Sequence, residues 1–290
     1  MLTQQIINGL TLGSLYALLA VGFSLICGIL NMITFSHGEI FMIGAFSGLY
    51  TIIALGGNLP LGLAAAVVVS AAAGILTERI AFRPFRNESP LSPALITIGL
   101  SISLQAGILL LFGADTKPFP YNVSAHKFIL GNTVISGIEV FVIGISILLM
   151  IMLHLFIHYT RWGLALRATS QRIEAADIMG ISTNRIIAIA FCTASLLAGI
   201  DGLLAGAYYS AFYPRMGVAI SLKALAGATF GGIRSIQGAM AGALSLGVIE
   251  SLAAGYISAS YRDVIAFTIL IFVLLIKPSG LLGQMREEKV

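Results

Sequence analysis

Long runs of apolar residues recur along this chain and restrict it to one class of fold. They lie at residues 5–30, 38–56, 60–80, 93–113, 138–158, 184–207, 219–231, 237–256 and 262–277. A helix of about 20 apolar residues crosses the hydrocarbon core of a bilayer, and only helices and closed barrels can span one. The sequence therefore predicts an all-α, polytopic membrane helix bundle of about eight or nine transmembrane segments.

Composition predicts a single transmembrane domain over residues 1–290. The chain is 58% hydrophobic and 10% charged, whereas an average soluble domain carries about 25% charged residues. No Lys, Arg, Asp or Glu precedes Glu39, so the basic region of a secretory signal peptide is missing and the first apolar segment is expected to remain.

The segment at residues 219–231 is short for a complete span. Gly231, Gly232 and the polar residues Arg234, Ser235 and Gln237 interrupt the apolar sequence after it. Such an interruption is typical of a broken or re-entrant helix. We therefore expect a broken or re-entrant segment near residues 219–237.

The distribution of basic residues predicts the orientation. Of 16 bases, 11 fall on one side of the predicted spans: Arg79, Arg83, Arg86, Arg161, Arg167, Arg172, Arg185, Arg234, Lys277, Arg286 and Lys289. Lys117, Lys127, Arg215, Lys223 and Arg262 are assigned to the other side. Loops rich in Lys and Arg are cytoplasmic, so an odd number of crossings places the N-terminus outside and the C-terminus inside. Eight crossings would move one terminus across. The outer connection at residues 114–137 is either a small lid or hairpin or a plain linker.

Residues 161–185 form the central cytoplasmic loop, which is charged and amphipathic. Apolar or small residues recur at helical spacing and charged residues occupy the other side, which predicts a short helix from Gln171 to Met179. Gly180 suits the left-handed conformation that ends a helix. The stretch is either a docking element or an ordinary solvated loop.

Polar residues inside apolar segments are candidates for a solute pathway. An ionisable group there costs about 2.5 to 3.5 kcal/mol on insertion scales, so it usually faces a cavity or a partner. The candidates are Asn31, His37 and Glu39 in a polar break, Asp201 in the sixth segment and Glu250 in the eighth. Each either lines a pathway or pairs with another group for assembly.

Glycines four residues apart predict close helix packing. The pairs are Gly9 and Gly13, Gly44 and Gly48, Gly202 and Gly206, Gly227 and Gly231, and Gly238 and Gly242. A short echo between residues 44–47 and 242–245 is a weak sign of an internal repeat.

Other chemistry has little support in the sequence. No Walker A loop or dinucleotide fingerprint occurs, so the chain is not expected to hydrolyse ATP. His154 and His158 are four residues apart, but no nearby Cys, Asp or Glu completes a metal site. The bases are spread along short loops, which argues against a nucleic-acid surface.

Three stretches, at residues 8–46, 231–252 and 277–283, resemble the integral-membrane permease of high-affinity branched-chain amino acid ABC importers, the LivH type. The resemblance extends along nearly the full chain. The central loop is similar to the coupling loop of ABC importer permeases, with Glu174, Ala175 and Ala176 followed by Gly180.

The resemblance implies a non-enzymatic permease subunit in the bacterial inner membrane that translocates branched-chain amino acids. It implies no cofactor in this chain, because ATP is used by partner subunits. The implied partners are a second homologous permease, two cytoplasmic ATP-binding subunits and a periplasmic substrate-binding protein. Coupling residues would be Arg172, Ile173, Glu174, Ala175, Ala176, Asp177 and Gly180, with Ile173, Ala176 and Gly180 entering an ATPase groove. The alternatives are a permease for urea, short amides or another polar solute, and an ion-coupled secondary carrier.

Overall fold

The computed structural model describes residues 1–30, 32–85, 91–120, 127–130, 133–277 and 279–282. Asn31, Arg86, Arg286 and Lys289 lie outside the described residues. The helices are α1 (Leu2–Leu30), α2 (His37–Ala54), α3 (Leu59–Thr77), α4 (Leu91–Phe112), α5 (Gly137–Tyr159), α6 (Arg161–Gln171), α7 (Ile173–Ile178), α8 (Thr183–Tyr209), α9 (Met216–Gly231), α10 (Ile236–Tyr256) and α11 (Arg262–Ile276). A π-helical turn, Glu78–Phe82, continues α3, and a 3-10 turn, Ala259–Tyr261, precedes α11. The described strands are β1 (Lys117–Pro118), β2 (Lys127–Leu130), β3 (Thr133–Ser136) and β4 (Ala211–Phe212).

Eight of the described helices are long and apolar enough to cross a membrane: α1 to α5, α8, α10, and α11 with the turn before it. The predicted polytopic helix bundle is confirmed. Helix α9 has only 16 residues, or roughly 24 Å at 1.5 Å per residue, which is less than the ~30 Å hydrocarbon core. It ends at Gly231, and α10 begins at Ile236. The interruption predicted near residues 219–237 is therefore confirmed.

The two ends of the described chain lie on opposite faces of the bundle. At one face, the backbone N–H of Val134 in β3 donates to Oε1 of Gln4 at 2.9 Å. The antiparallel pairs β1–β4 and β2–β3 complete this face, so the hairpin alternative for residues 114–137 is confirmed. At the other face, the N–H of Leu281 donates to the carbonyl of Phe230 at 2.9 Å. Helix α9 begins at the first face, just after β4, and ends at the second face, where Phe230 accepts from Leu281, so it is a short crossing between them.

The helices form two similar halves that run in opposite directions. Six residues separate α1 from α2 (31–36), and six separate α8 from α9 (210–215). Helix α1 packs along α10, and α8 packs correspondingly along α3. This arrangement indicates an inverted repeat that relates α1–α4 to α8–α11. The sequence similarity between residues 44–47 and 242–245 does not follow this repeat. It pairs α2 with α10, whereas the repeat pairs α2 with α9.

Close glycine contacts hold the inner helices together. A β-carbon on Gly13 would lie 2.9 Å from Cα of Leu244, and one on Gly44 would overlap Cα of Gly199. For every glycine in the five predicted pairs, an added β-carbon would lie 3.0 Å or less from an atom of another part of the chain. Close helix packing is therefore confirmed. Helix α1 lies at the centre of the bundle and is buried along most of its length, whereas α4 and α11 lie outside and expose apolar side chains.

Candidate functional site

The start of α2 is a polar segment buried inside the bundle. His37, its first residue, is 1% exposed and its ring packs edge-on against Phe23 of α1, with centroids 4.8 Å apart. Gly22 makes room for this ring, because a β-carbon there would overlap the imidazole. Neither ring nitrogen has a hydrogen-bond partner among the described residues. The imidazole therefore fills the space between α1 and α2 without a polar contact.

Glu39 lies on the opposite side of α2 from His37. Two residues rotate a helix by about 200°, so the two side chains face different neighbours. Oε1 of Glu39 accepts a hydrogen bond from the hydroxyl of Ser101 on α4 at 2.9 Å, and Oε2 has no partner in the described structure. The two predicted pathway residues are thus close in sequence but line different interfaces.

Further unpartnered polar groups surround the beginning of α2. The hydroxyls of Thr34 and Ser36 are buried, and neither finds a partner among the described residues. Ser36 occupies the N-cap position of α2, yet its side chain makes no capping hydrogen bond. Buried polar groups in proteins are nearly always hydrogen-bonded. Their concentration here marks the segment as a functional candidate.

Asp201 is buried in α8 near the same region. It is fully buried, and neither carboxylate oxygen has a partner in the part of the chain described. The adjacent Gly202 contacts α2, since a β-carbon on it would overlap the carbonyl of Phe41. Phe41 is one helical turn from His37. An unpaired buried carboxylate is costly, so Asp201 remains a candidate together with His37.

Glu250 belongs to a separate group of charged residues, which we call the ion cluster: Tyr16, Lys223, Glu250, Arg262 and Asp263. Oε1 of Glu250 lies 2.6 Å from Nζ of Lys223 and 2.9 Å from Nε of Arg262. The hydroxyl of Tyr16 donates to the same oxygen at 3.3 Å, and Lys223 also contacts Asp263 at 2.7 Å. The cluster joins α1, α9, α10 and α11. This pairing favours a structural role for Glu250 over the predicted pathway role.

The ion cluster also corrects the count of basic residues. Lys223 was assigned to the outer side, but it lies within α9 and is only 8% exposed. It is buried because two carboxylates compensate its charge. Sequence analysis did not identify Lys223, Arg262 and Asp263 as partners of Glu250. Opposite charges in neighbouring apolar segments could have indicated the cluster, because such charges tend to pair in membranes.

The central loop contains two helices instead of the single predicted one. Arg172 is extended, with φ −155° and ψ 115°, and it separates α6 from α7. The helix predicted from Gln171 to Met179 is observed as the shorter α7, Ile173–Ile178, whereas α6 was not predicted. Gly180 has φ +80° as predicted, and the N–H of Ile181 donates to the carbonyl of Ala176 at 3.0 Å. This closes the end of α7 and turns the chain towards α8.

The apolar side of α7 faces the protein itself. Ala176 is 4% exposed, and Ile173 packs against the hydrophobic core. In this structure Ala176 is buried and Ile173 is half-buried against the chain's own helices, and their insertion into an ATPase groove stays a prediction. The residues that project outward are Ile178 and Met179, which are 86% and 81% exposed. Arg172, Glu174, Ala175, Asp177 and Gly180 are also exposed.

Comparison with known proteins identifies the family of this chain. The model of the branched-chain amino acid transport system permease component matches residues 5–274. The chain is 38% identical over 300 residues to the high-affinity branched-chain amino acid transport system permease protein LivH of Escherichia coli, which covers 99% of this chain and 97% of that protein. The corresponding protein BraD of Pseudomonas aeruginosa is 39% identical over 300 residues, with the same coverage.

A more distant relative is the probable branched-chain amino acid transport permease protein LivH of Methanocaldococcus jannaschii, 31% identical over 296 residues, 97% of this chain and 92% of that protein. No solved structure matches the chain. The family model and the relatives both extend over nearly all of the membrane helices described above. The chain therefore belongs to the family of branched-chain amino acid transport system permease components.

Proposed function

We propose that this chain translocates branched-chain amino acids across the inner, cytoplasmic membrane as the permease subunit of an ABC importer. The observation that carries the proposal is the α6–α7 element, which presents exposed apolar residues at a glycine turn on the face assigned to the cytoplasm. Exposed large apolar side chains such as Ile178 are costly unless another surface covers them. Family membership supports the amino-acid substrate.

Energy enters this mechanism from partner subunits. One ATP-binding subunit docks on α6 and α7. A second homologous permease and a second ATP-binding subunit complete the importer, and a periplasmic binding protein delivers the substrate. The chain itself needs no cofactor and catalyses no reaction. Ile178 and Met179 form the contact with the ATPase, and Gly180 keeps the turn in the conformation that exposes them.

A mechanical route leads from this contact to the buried polar segment. Oδ1 of Asp177 at the end of α7 accepts a hydrogen bond from the hydroxyl of Thr183, the first residue of α8, at 2.8 Å. Helix α8 then packs closely against α2, with Gly199 beside Gly44. A displacement of α7 is therefore passed to α8 and from there to the start of α2.

The pathway follows the polar segment at the start of α2. His37, Glu39 and Asp201 line or gate it, and in this conformation their surroundings are closed. A binding site has few polar groups among apolar walls, which suits an amino acid with an apolar side chain. Opening this segment would give the unpartnered groups solvent or substrate as hydrogen-bond partners.

Reconstituted transport tests the function. Proteoliposomes that contain the chain with its ATPases, second permease and binding protein should take up leucine, isoleucine and valine when ATP is supplied, and the chain alone should be inert. Urea and acetamide should not compete. Uptake driven by a sodium or proton gradient alone would favour the secondary carrier, and preferential uptake of urea or amides would favour the other permease class.

The docking contact is tested at one position. Ile178→Asp should reduce ATPase recruitment and transport without changing membrane insertion, because the side chain is 86% exposed and makes little contact within the chain. Ile178→Val, which keeps an apolar surface, is the matched control. Equal recruitment by Ile178→Asp and the unmodified chain would exclude this docking contact.

A further inference from the structure

A cavity of about 290 Å³ opens between α1, α5, α6 and the start of α10, on the face assigned to the cytoplasm. Its size lies near the lower limit for small-molecule sites. Ser24 lines it, and the Ser24 hydroxyl is buried without a partner among the described residues. A buried hydroxyl without a partner calls for an acceptor or donor that enters the cavity.

Two helix ends of opposite polarity meet at this cavity. Helix α10 begins here, with Ser235 as N-cap; its hydroxyl accepts from the N–H of Gly238 at 3.1 Å, and the earlier N–H groups remain free of the helix. Helix α1 ends here, and Gly28 and Ile29 of its last turn also line the cavity. A helix start carries partial positive charge and a helix end partial negative charge. The cavity is therefore polarised from one side to the other.

Charged and apolar residues complete this polarity. Arg167 and Arg234 line the cavity, and none of the described residues in its lining is Asp or Glu. Arginine beside a helix start favours a carboxylate, which accepts charge-assisted hydrogen bonds from both. Apolar side chains form much of the remaining wall: Leu25, Ile29, Ile157, Leu166 and Ile236.

We propose that this cavity binds the transported amino acid on the cytoplasmic side. Its carboxylate lies at the start of α10 beside the arginines, its ammonium group lies at the carbonyl end of α1, and its apolar side chain contacts the apolar wall. The inference rests on the proposed function for its substrate, an α-amino acid with an apolar side chain, and adds a second site for it.

Occupation of this site has a consequence for coupling. Leu166, Arg167 and Ser170 of α6 contribute to the wall, so a bound amino acid holds α6 against α1 and α10. A high internal concentration of the amino acid then opposes movement of α6. The site therefore makes the transported product an inhibitor of the ATPase cycle from the cytoplasmic side.

Equilibrium binding to the assembled complex tests the site. The complex in nanodiscs, without binding protein, should bind radiolabelled leucine saturably. Arg234→Gln and Arg167→Gln should each raise the Kd for leucine about tenfold or more, as loss of a charged hydrogen bond predicts. Arg79→Gln is the matched control, because it removes the same charge at the cytoplasmic end of α3, outside the cavity lining. Its Kd should equal that of the unmodified complex.

Ligand analogues test the same polarity without altering the protein. Leucinamide lacks the carboxylate and 4-methylpentanoate lacks the ammonium group, so both should compete at least tenfold more weakly than leucine. Inorganic phosphate should compete poorly. Equal competition by leucinamide, or stronger competition by phosphate or by an anionic lipid headgroup, would overturn the proposed site.

The regulatory step has a separate readout. Leucine added to the cytoplasmic side of proteoliposomes should lower binding-protein-stimulated ATP hydrolysis, and Arg234→Gln should shift the inhibitory concentration upward about tenfold. ATP-driven leucine uptake by the same vesicles, together with no saturable binding in nanodiscs, would overturn this inference alone. Absence of uptake of any branched-chain amino acid would instead overturn the proposed function.

Discussion

Removing either Lys223 or Glu250 should destabilise the helix bundle strongly, whereas removing both should cost much less than the sum. The side chain of Glu250 is 0% exposed and that of Lys223 is 11% exposed, and their charged atoms are 2.6 Å apart. The ion cluster contains two acidic and two basic residues, so its formal charge is zero. Lys223→Met leaves one negative charge in excess, and Glu250→Gln leaves one positive charge.

The magnitude follows from burial and from the remaining partners. Breaking a buried ion pair from one side costs about 3 to 5 kcal/mol. Here the lower end applies, because Arg262 still contacts Glu250 in Lys223→Met and Asp263 still contacts Lys223 in Glu250→Gln. Two independent losses would total about 6 kcal/mol. The double variant restores a neutral cluster, so we expect a loss of about 3 to 4 kcal/mol and a coupling energy of about 2 to 3 kcal/mol.

The assay is a double-mutant cycle on the purified chain in mixed detergent micelles. Unfolding by increasing fractions of sodium dodecyl sulphate is followed by circular dichroism, and free energies are compared for the four proteins. Asp263→Asn also leaves one positive charge in excess, but its side chain is 56% exposed and therefore better screened by solvent, so it should cost less than Glu250→Gln. A double variant whose loss equals the sum of the single losses within about 0.5 kcal/mol would refute the reasoning.

Three further changes test other parts of the structure. Gly44→Val should lower the yield and melting temperature of the folded chain, because a β-carbon there overlaps α8 and overpacking costs about 1 to 3 kcal/mol. Gly107→Val is the control and should leave both unchanged, because a β-carbon at Gly107 has no neighbour within 4 Å. Gly180→Val should lower ATPase-stimulated transport, because φ is +80° and a residue with a β-carbon in this left-handed conformation costs about 1 to 2 kcal/mol. Gly180→Asn should lower transport less, and equal transport by the two variants would contradict the proposed backbone strain. Glu39→Gln should lower transport more than the amount of assembled complex, because the amide keeps an acceptor for the Ser101 hydroxyl but loses the charge. An equal loss of both would make Glu39 structural.

The membrane helices were predictable because each is a long apolar segment with polar or glycine-rich ends. The first was expected at residues 5–30 and is observed at Leu2–Leu30, and the sixth was expected at 184–207 and is observed at Thr183–Tyr209. Gly180 was predictable for a different reason, since the left-handed conformation selects glycine locally. Information of this kind is contained in a few neighbouring residues.

The partners of each polar residue were not predictable in the same way. Lys223 and Glu250 are 27 positions apart, so only the packing of α9 against α10 brings them together. The apolar stripe of the central loop indicated that some surface would cover it, but periodicity does not identify that surface. In the structure it is the chain's own core for Ala176, and the exposed side chains come from Ile178 and Met179.

The two halves of the inverted repeat use their polar residues in opposite ways. In the second half, Lys223 ties α9 to α10 through Glu250. In the first half, Ser36 and His37 at the start of α2 have polar atoms without a partner among the described residues, and α2 faces the α8 helix that holds Asp201. Unsatisfied polar groups in an apolar interior cost several kcal/mol each, so a single fixed conformation gives no reason to keep them. A second conformation that hydrates or fills this region supplies that reason. We therefore expect alternating access to move α2 and α8, while α9 and α10 stay together as the fixed part of the bundle.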